Sequence, residues 1–435
     1  MKTELRMKLR RAAVIVARLF IGAVFVVSGW SKAVDPAGFI IKVGEYLGAW
    51  GWTVPHEAIV VGCMALSAVE FTVGVMVACG CLKRVAVWLA SALMVFMLPL
   101  TLYIAVANPV ADCGCFGDLW KISNWATFWK NVVIGGVLVY VILHNRSVPG
   151  IYPAPIQWLV ATVSLAFPLT LSFIGYHIQP VADFRPFRLG TEIFHPGHED
   201  DDDDAGEGYV YERGGERRTF GLDEIPDSTW TFVSASVDDG GGYADIAVRD
   251  DEGEDVSRDI VADGDEPQVW LIIPDPGLLF LSNAHEMTQL HRYLSDRGID
   301  FTALVGSRGA GFRYWTDLIR PTFPVYSAED TALQQLARGN SAIVYTRGGR
   351  IIWKRTFVSL PDRLWEKPDP GEGLNPLDDV RPVDDGRYAW GSAFFYLAVL
   401  AALYLLGQSP KLVRLITMRH PNNKPEDSPD DTPEA

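Results

Sequence analysis

The run AAVIVARLFIGAVFVVSGWSKAV, residues 12–34, decides the fold class of this 435-residue chain. It is apolar except for Arg18, Lys32 and a few small polar side chains. A helix needs about 20 such residues to cross a bilayer core about 30 Å thick. Five basic residues precede the run. No small-x-small cleavage site lies before Lys32, so we expect an uncleaved membrane helix rather than a signal peptide.

Five further apolar runs predict a protein with six membrane spans. They cover residues 58–79, 85–107, 128–144, 157–178 and 389–407. Lys and Arg residues lie before the first span, between the second and third, between the fourth and fifth, and after the sixth. Because cytoplasmic loops are enriched in positive residues, we expect both termini in the cytoplasm and residues 179–388 outside it. This pattern predicts a multi-pass protein of the cytoplasmic membrane, in contact with the lipid bilayer.

Residues 179–388 differ sharply in composition from the spans that flank them. They hold 41 acidic and 21 basic residues, a net charge of −20, whereas the rest of the chain carries +5. Neither part clusters its Lys and Arg residues, which argues against a nucleic-acid partner. The acidic run at 199–204 is expected to be solvated. Residues 408–435 are polar and Pro-rich, as expected for a disordered cytoplasmic tail.

The acidic region shows a regular order of strands and helices. The strand–helix–strand–helix series ends in a hairpin around Arg347-Gly348-Gly349, which is typical of a thioredoxin-like fold. We therefore predict a multi-domain protein, with an α-helical polytopic membrane bundle and an α/β thioredoxin-like domain that has a β-rich N-terminal extension. The stretch Pro274-Asp275-Pro276-Gly277 stands where such a domain would carry Cys-x-x-Cys, so this domain lacks the thiols for dithiol exchange. The predicted strands are 209–213, 230–235, 244–248, 269–273, 301–305, 341–346 and 350–356, and the predicted helices are 284–297, 311–319 and 331–338.

The loop Asp112-Cys113-Gly114-Cys115-Phe116-Gly117-Asp118 is the main candidate for chemistry. Cys113 and Cys115 can lie within about 7 Å of each other, close enough to bond. So small a ring would be strained, and a strained exposed disulfide oxidises other dithiols readily. Asp112 and Asp118 can shape the loop but disfavour a thiolate, an effect that Lys32 at the outer end of the first span could offset. The alternative is a structural disulfide or a tight turn with inert thiols.

The other three cysteines are weaker candidates. Cys63, about two turns inside the second span, could act as a resolving thiol, although a lone Cys in an apolar helix is more often a small hydrophobic residue. Cys79 and Cys81 lie at the predicted cytoplasmic end, which excludes direct exchange with the loop. A zinc site would need more ligands than the loop supplies, so we predict no metal.

Arg18 and Glu70 are ionisable residues inside predicted spans. Counting from the span ends at about 1.5 Å per residue places them at similar depth. A charge inside the bilayer is costly unless it is paired. We expect a structural ion pair between the two helices, or a role in proton transfer or quinone binding. Six glycines of the spans are expected to permit close helix contact: Gly22, Gly29, Gly62, Gly74, Gly135 and Gly136.

These features together resemble the DoxX/MauE-like family of bacterial membrane proteins. The chain is most similar to the subgroup in which a four-helix bundle, here residues 12–145, is fused to an extracytoplasmic thioredoxin-like domain. The resemblance implies quinone-linked sulfur oxidation, as in DoxX-type proteins, or maturation of a disulfide-rich enzyme subunit, as in MauE-type proteins. It also implies a quinone as the candidate cofactor. The matching residues are Arg18 and Gly22, Ser28-Gly29-Trp30-Ser31-Lys32, Asp35-Pro36, Ser67-Ala68-Val69-Glu70-Phe71 and the loop 112–118.

Two hypotheses for the function follow. In the first, the protein is a membrane accessory of thiol–disulfide or quinone-linked redox chemistry: Cys113 and Cys115 exchange electrons with a partner, and the acidic domain binds an extracytoplasmic protein client. Arg18 and Glu70 then support the bundle or a quinone pocket. In the second, the protein is a non-catalytic scaffold that presents a redox-inert thioredoxin-like domain to a partner in the cell envelope. The sequence leaves open whether the protein is an enzyme.

Overall fold

The computed structural model describes residues 2–107, 114, 117–120, 122–144, 148–193, 208–213, 216–221, 231–236, 243–262, 264–278, 282–306, 311–361, 377–378, 380–383 and 386–409. The acidic run at 199–204 and most of the predicted disordered tail lie outside these residues. The chain divides into two compact units, Met1–Phe173 with Ala389–Ala435, and Ile174–Tyr388. They are called the helical unit and the sheet unit below.

Six long apolar helices confirm the six predicted spans. Each is long and apolar enough to cross a membrane, and each ends within one residue of the predicted end. The chain is therefore a multi-pass membrane protein. The helices are α1 (Lys2–Val34), α3 (His56–Cys79), α4 (Lys83–Ala107), α5 (Asn124–His144), α6 (Ala154–His177) and α10 (Arg387–Gly407), and a shorter helix, α2 (Pro36–Ala49), follows α1.

Helix α2 was not predicted, because 14 residues are too few to span a bilayer. Its start nevertheless carries a sequence signal. The Asp35 carboxylate accepts a hydrogen bond from Gly38 N at 2.9 Å, and Pro36 occupies the first helical position, where its missing N–H costs nothing. An Asp-Pro pair directly after a span thus starts a second helix that packs beside α3.

Helices α1 and α3 lie antiparallel in close backbone contact. A Cβ added at Gly29 would lie 2.5 Å from Phe71 N, and one at Gly74 would lie 2.7 Å from Val26 N. Gly22 lies equally tightly against Ala78 and Gly74. Only glycine permits these distances, so the three glycines set the register between the two helices.

The other three glycines do not form such contacts. Among the described residues, no heavy atom lies within 4 Å of a Cβ built at Gly62 or Gly136, and the nearest to Gly135 is a Leu98 methyl at 3.5 Å. Gly62 and Gly136 therefore lie on open helix faces, where the prediction of close helix contact was wrong, and Gly135 makes only an ordinary side-chain contact.

An aromatic cluster joins α6 and α10 to α3. The rings of Phe167 and Tyr396 stack with centroids 4.5 Å apart, and Phe71 lies about 5.5 Å from both. The Tyr396 hydroxyl pairs with Ser164 Oγ at 2.6 Å. This contact keeps a polar group satisfied where water is scarce.

The sheet unit is built on an eight-stranded sheet in the order β5-β1-β11-β10-β7-β8-β9-β6. Strands β7, β8 and β9 run parallel, and β10 runs antiparallel to its neighbours β7 and β11. The strands are β1 (Glu192–Ile193), β5 (Tyr243–Ala244), β6 (Val248–Arg249), β7 (Pro267–Ile273), β8 (Asp300–Gly306), β9 (Val325–Ala328), β10 (Ala342–Arg347) and β11 (Arg350–Thr356); the helices are α7 (Ser282–Ser295), α8 (Gly311–Ile319) and α9 (Asp330–Leu336).

Both faces of this sheet are buried. Along β7, Val269 and Leu271 enter one apolar core with Leu290 of α7, whereas Trp270 enters another with Leu333 of α9. Successive side chains of a strand point to opposite faces, so one strand supplies both cores. A central strand covered on both sides reads as an unbroken apolar run, which is why β7 was predictable.

The predicted strand at 244–248 is two short strands at opposite edges of the sheet. β5 pairs with β1 at one edge, and β6 pairs with β9 at the other. Between them Ala244, Ile246 and Val248 are buried in the core that holds Trp270. Alternating burial gave this segment the pattern of a strand, although it crosses the face of the sheet.

A separate antiparallel sheet has the order β3-β2-β4. Its strands are β2 (Gly208–Arg213), β3 (Glu216–Gly221) and β4 (Thr231–Ser236). The predictions identified β2 and β4 but missed β3, whose sequence ERRTFG lacks apolar alternation. They also missed β1 and β9, which are too short to show a period.

A buried ionic cluster attaches the segment after α6 to the sheet. Arg185 donates to both carboxylate oxygens of Asp183 at 2.7 Å, and the Lys354 ammonium binds Asp183 and Phe187 O. The three charged side chains are at most 2% exposed. Burial alone would raise the pKa of Asp183, but the charges and hydrogen bonds of Arg185 and Lys354 outweigh it and hold that pKa well below its usual range.

Replacing Lys354 by Met should destabilise the sheet unit by about 3 kcal/mol, because the Asp183 charge loses a buried partner. The matched control is Arg350→Met on the same strand, whose ion pair with Glu192 is exposed and worth about 0.5 kcal/mol. Urea-dependent pulse proteolysis of the full-length protein measures both. A carboxylate whose pKa is lowered in the folded protein stabilises the fold less as the pH falls. The difference in free energy of unfolding between wild type and Lys354→Met should therefore shrink below about pH 4. Equal losses in the two variants would contradict this account.

Candidate functional site

A carboxylate and an ammonium group form a buried ion pair between α1 and α3. Lys32 Nζ lies 2.9 and 2.7 Å from the two carboxylate oxygens of Glu70, and Ser28 Oγ donates to one of them at 2.9 Å. The side chains of Lys32 and Glu70 are 2% and 5% exposed. The ammonium also lies 5.0 Å from the ring centre of Phe39 in α2. Ionisable groups buried in membrane helices are costly, so this pair is a candidate functional site.

Helical periodicity places the groups beside Glu70 on one stripe of α3. On α3, Cys63, Ser67 and Glu70 follow one another at i, i+4 and i+7 and are all buried. Ser67 Oγ donates to Cys63 O at 2.8 Å, so its hydroxyl is satisfied within the helix. The predicted resolving thiol, Cys63, therefore shares the face of Glu70, about 10 Å along the helix axis.

The described residues of the predicted catalytic loop lie where α1 ends. Gly117 N donates to Gly114 O at 3.1 Å, and both glycines have positive φ, as a tight turn requires. A Cβ at Gly114 would lie 3.3 Å from Lys42 Cγ of α2, and one at Gly117 would lie 3.8 Å from Ser31 O of α1. This end of the helical unit is called the loop side below.

The predicted catalytic residues Cys113 and Cys115 lie outside the described residues, as do Asp112 and the side chain of Asp118. Their roles stay predictions. Lys32, expected to favour a loop thiolate, directs its ammonium to the Glu70 carboxylate.

Arg18 does not pair with Glu70, so the expected ion pair was wrong. Its guanidinium donates to three backbone carbonyls: Val77 O at 3.0 Å, Ala78 O at 3.2 Å and Pro149 O at 3.4 Å. Val77 lies about 10 Å beyond Glu70 along α3. Counting residues from the ends of the apolar runs places Arg18 and Glu70 at similar depth. The glycine contacts between α1 and α3 set a different register, in which Arg18 lies beside Val77.

The contacts of Arg18 cap the C-terminal end of α3. Gly80 has a φ of +66°, Cys81 N donates to Met76 O at 2.9 Å, and Gly80 N donates to Val77 O at 3.3 Å. This pattern is a Schellman motif. A cation is favourable at a helix C-terminus, where free carbonyls concentrate negative charge. Arg18 is therefore a structural residue in this geometry.

Cys79 and Cys81 flank Gly80 and lie at the Arg18 end of the bundle. Arg18 and Ser31 are separated by about 20 Å along α1. This separation agrees with the prediction that these thiols cannot exchange directly with the loop at the other end.

Gly80→Ala should displace Arg18, because the added Cβ would lie 1.9 Å from Arg18 Nη2. Gly51→Ala is the matched control: its φ is +69°, yet no described heavy atom lies within 4 Å of the added Cβ. Both variants lose about 1 kcal/mol to left-handed backbone. We expect Gly80→Ala to lose about 2 kcal/mol more, measured by thermal unfolding of the full-length protein in detergent. Equal losses would show that the Arg18 contacts contribute nothing.

The sequence analysis missed a polar stripe on α5. Its signal was the spacing i, i+3 and i+7 of three polar residues at the start of the fourth apolar run. Asn131 Nδ2 donates to Thr101 Oγ1 of α4 at 3.3 Å. The buried polar residues of the stripe are Asn124, Thr127 and Asn131.

In the sheet unit, the stretch Pro274-Asp275-Pro276-Gly277, where Cys-x-x-Cys is absent, is held by hydrogen bonds to an asparagine. Asp275 N donates to Asn340 Oδ1 at 2.7 Å, and Asn340 Nδ2 donates to Asp275 O at 2.6 Å. Gly277 N bonds the Asp275 carboxylate at 2.9 Å. Residues 179–388 contain no cysteine, so all five cysteines of the chain belong to the helical unit. Within the described residues, no three His, Cys, Asp or Glu side chains are grouped to hold a metal ion.

Comparison with known protein families finds a match for each unit. Residues 10–144 match the family of the Methylamine utilisation protein MauE. This segment of the helical unit is MauE-like. The matched segment runs through α1 to α5 and contains Lys32, Glu70 and the loop 112–118. Residues 208–237, which hold β2, β3 and β4, match a domain of unknown function (DUF8463). No curated protein and no solved structure matches the chain.

Proposed function

We propose that this MauE-like membrane protein is an accessory of thiol–disulfide chemistry outside the cytoplasm, with Cys113 and Cys115 as the reacting pair. The observation that carries the proposal is the position of Gly114, between the two cysteines. It packs on Lys42 of α2, at the end of the bundle where α1 ends. The last residue of α1, Val34, is two residues after Lys32. Gly114, the residue between the two candidate cysteines, thus lies at the same end of the bundle as a buried acid–base pair.

The exchange is balanced without a metal. A thiolate of the client attacks one sulfur of the Cys113–Cys115 bond and forms a mixed disulfide, and the second client thiol then displaces the loop. The client gains a disulfide, and the loop cysteines take up two electrons and two protons. A small strained ring favours this direction.

Re-forming the loop disulfide needs a two-electron acceptor, for which we propose a quinone. Its carbonyl oxygens would require hydrogen-bond donors in apolar surroundings, and Lys32 and Ser28 are such donors near the loop side. Arg18 fits less well, because it lies about 20 Å along α1 from Ser31, at the opposite end of the bundle from the loop. When bound, a quinone would supply the oxidant for the loop dithiol.

For the sheet unit we propose a thioredoxin-like fold that binds the client. The strand order β11-β10-β7-β8 supports it, with β7 parallel to β8 and the closing hairpin antiparallel. The net charge of −20 would suit a client with a basic surface. We place this unit and the loop outside the cytoplasm of a bacterial cell and both termini inside, on the distribution of Lys and Arg between the spans.

A non-catalytic scaffold is the second candidate. The paired hydrogen bonds between Asn340 and Asp275 favour it, because they close the position at which a thioredoxin-like domain would react. In this case the helical unit would anchor the sheet unit for binding to an envelope partner.

Replacing Cys113 and Cys115 by Ser should abolish client oxidation and leave membrane insertion intact. The redox state of the pair in cells is measured with a membrane-impermeant maleimide before and after mild reduction, followed by mass spectrometry. We expect reversible oxidation of wild type, and a trapped mixed disulfide when one loop cysteine is replaced.

Cys79→Ser with Cys81→Ser is the matched control, because it removes a second Cys-Gly-Cys pair at the opposite end of the bundle. This variant should retain the trapped client. Loop cysteines that stay reduced, or function that survives their loss, would contradict the redox proposal and favour the scaffold.

A further inference from the structure

Large apolar side chains are scarce on the surface of the sheet unit. Among the side chains that the structure describes there, those that are both large and exposed are Phe184, Val358 and Tyr388, with exposed fractions of 41%, 84% and 51%. Single exposed apolar side chains are common on proteins, so their position carries the information. All three lie near the two connections between the sheet unit and the membrane spans α6 and α10.

The end of strand β11 is hydrogen-bonded to the end of α6. Thr356 N donates to Ile178 O at 2.9 Å, and the Thr356 hydroxyl donates to His177 O. Gln179, the next residue of the chain, forms two hydrogen bonds with the backbone of Arg338, which comes shortly before β10. His177 is the last residue of a helix that is long and apolar enough to cross a membrane. The edge of the sheet that carries Thr356 is therefore fixed where the chain leaves the membrane.

Val358 is held outward at this edge by a short helical turn. Its neighbours Phe357 and Leu360 are buried in one of the two cores of the sheet. Arg355 Nη1 donates to Ser359 O at 3.1 Å and closes the turn. Val358 is two residues beyond the end of β11, so its Cα atom lies at most about 8 Å from that end. The fold thus holds in water, beside the end of a membrane span, an apolar side chain that burial would stabilise.

Phe184 and Tyr388 belong to the two segments that join the sheet to the membrane spans. Phe184 lies in the segment after α6, next to Asp183, whose carboxylate binds Lys354 near the end of β11. Tyr388 is the second residue of α10. Tyrosine is enriched at the interface between membrane and water, where its ring contacts lipid and its hydroxyl contacts water. The exposed apolar side chains therefore accompany both connections to the membrane.

The parallel strands end at the same edge of the sheet. Thr356 pairs with Ala342 of β10, and Ala342 pairs with Ile272 near the end of β7. Asp275 follows β7 and is bonded by Asn340 at this edge. Ligands of α/β sheets commonly bind outside the carboxyl ends of the parallel strands. A membrane contact at this edge would therefore affect the part of the sheet where binding is expected.

We propose that this edge of the sheet unit docks on the bilayer that α6 crosses, with the Val358 side chain inserted at the boundary between headgroups and acyl chains. The headgroup region is about 5–8 Å deep on each side of the apolar core, which is within reach of the turn. Residues 179–388 carry a net charge of −20, so anionic headgroups repel the unit and apolar burial provides the attraction. Docking places the contact between Asn340 and Asp275 on the side of the sheet that faces the lipid, and it requires no reaction of the loop cysteines.

The test uses p-benzoylphenylalanine, a photoreactive residue that forms covalent bonds with nearby C–H groups. Full-length protein with this residue at position 358 is reconstituted in phosphatidylcholine nanodiscs and irradiated, and lipid adducts are measured by mass spectrometry. Position 350 is the matched control, because the Arg350 side chain is 56% exposed and lies on the same strand, about 20 Å from its end. We expect lipid adducts at position 358 and none at position 350.

Two further measurements separate apolar insertion from other contacts. With the photoreactive residue at position 184, Val358→Asp should lower the yield of lipid adducts about tenfold, because it removes the inserted side chain, whereas Val358→Ile should preserve the yield. Both variants keep the packing of the sheet, since Val358 is exposed. With the photoreactive residue at position 358, phosphatidylglycerol nanodiscs should give no higher yield than phosphatidylcholine nanodiscs.

Adducts of position 358 with protein instead of lipid would overturn the proposal and place a partner or a second copy of the chain on this surface. Equal lipid adducts at positions 350 and 358, a yield that does not respond to Val358→Asp, or a yield that rises with anionic lipid would overturn it as well. The assay involves no thiol reaction, so failure of this proposal and failure of the redox proposal are distinguishable.

Discussion

The free-energy cost of a charge inside an apolar bundle governs the helical unit. Lys32 and Glu70 are almost fully buried, and each is tolerated only because the other neutralises it and Ser28 completes the hydrogen bonds. The backbones of the two helices that carry this pair also approach each other closely. Gly29 permits this approach beside Phe71, and Gly22 and Gly74 maintain it farther along. The ion pair and the glycines therefore depend on one another.

The remaining features of the unit follow from that register. With α1 and α3 locked together, Arg18 reaches the end of α3 and satisfies its carbonyl groups, which leaves Glu70 to Lys32. The end of α1 then supports the turn at Gly114 and Gly117, while α2 covers the turn from the other side through Lys42. The two ends of the bundle therefore differ in their contacts. Its Arg18 end is tied together by backbone hydrogen bonds, and its loop side collects the polar groups on which chemistry could act.

Much of the architecture could be predicted because it follows from strong periodic signals. The six spans are long apolar runs, β7 and β8 are mostly apolar, and β10 and β11 flank a turn marked by Gly348 and Gly349. What could not be predicted depends on distances between segments. The partner of Glu70 is a matter of helix register, which apolar run lengths do not encode, although the glycines at 22, 29 and 74 carried that information. The segment around Ile246 looked like one strand because burial alternates in any extended chain that crosses a core. The importance of Asn340 depends on its contact with Asp275, 65 positions away.

The central claim is that Lys32 and Glu70 stabilise the bundle as a pair. A double-mutant cycle measures this directly, with Lys32→Met, Glu70→Gln and the double variant compared by thermal unfolding of the full-length protein in detergent. Each single replacement should cost about 3 kcal/mol, since it leaves a buried group without its partner. The double variant should cost clearly less than the sum of the two. Additive losses would contradict the account, because they would mean that the two side chains stabilise the fold independently.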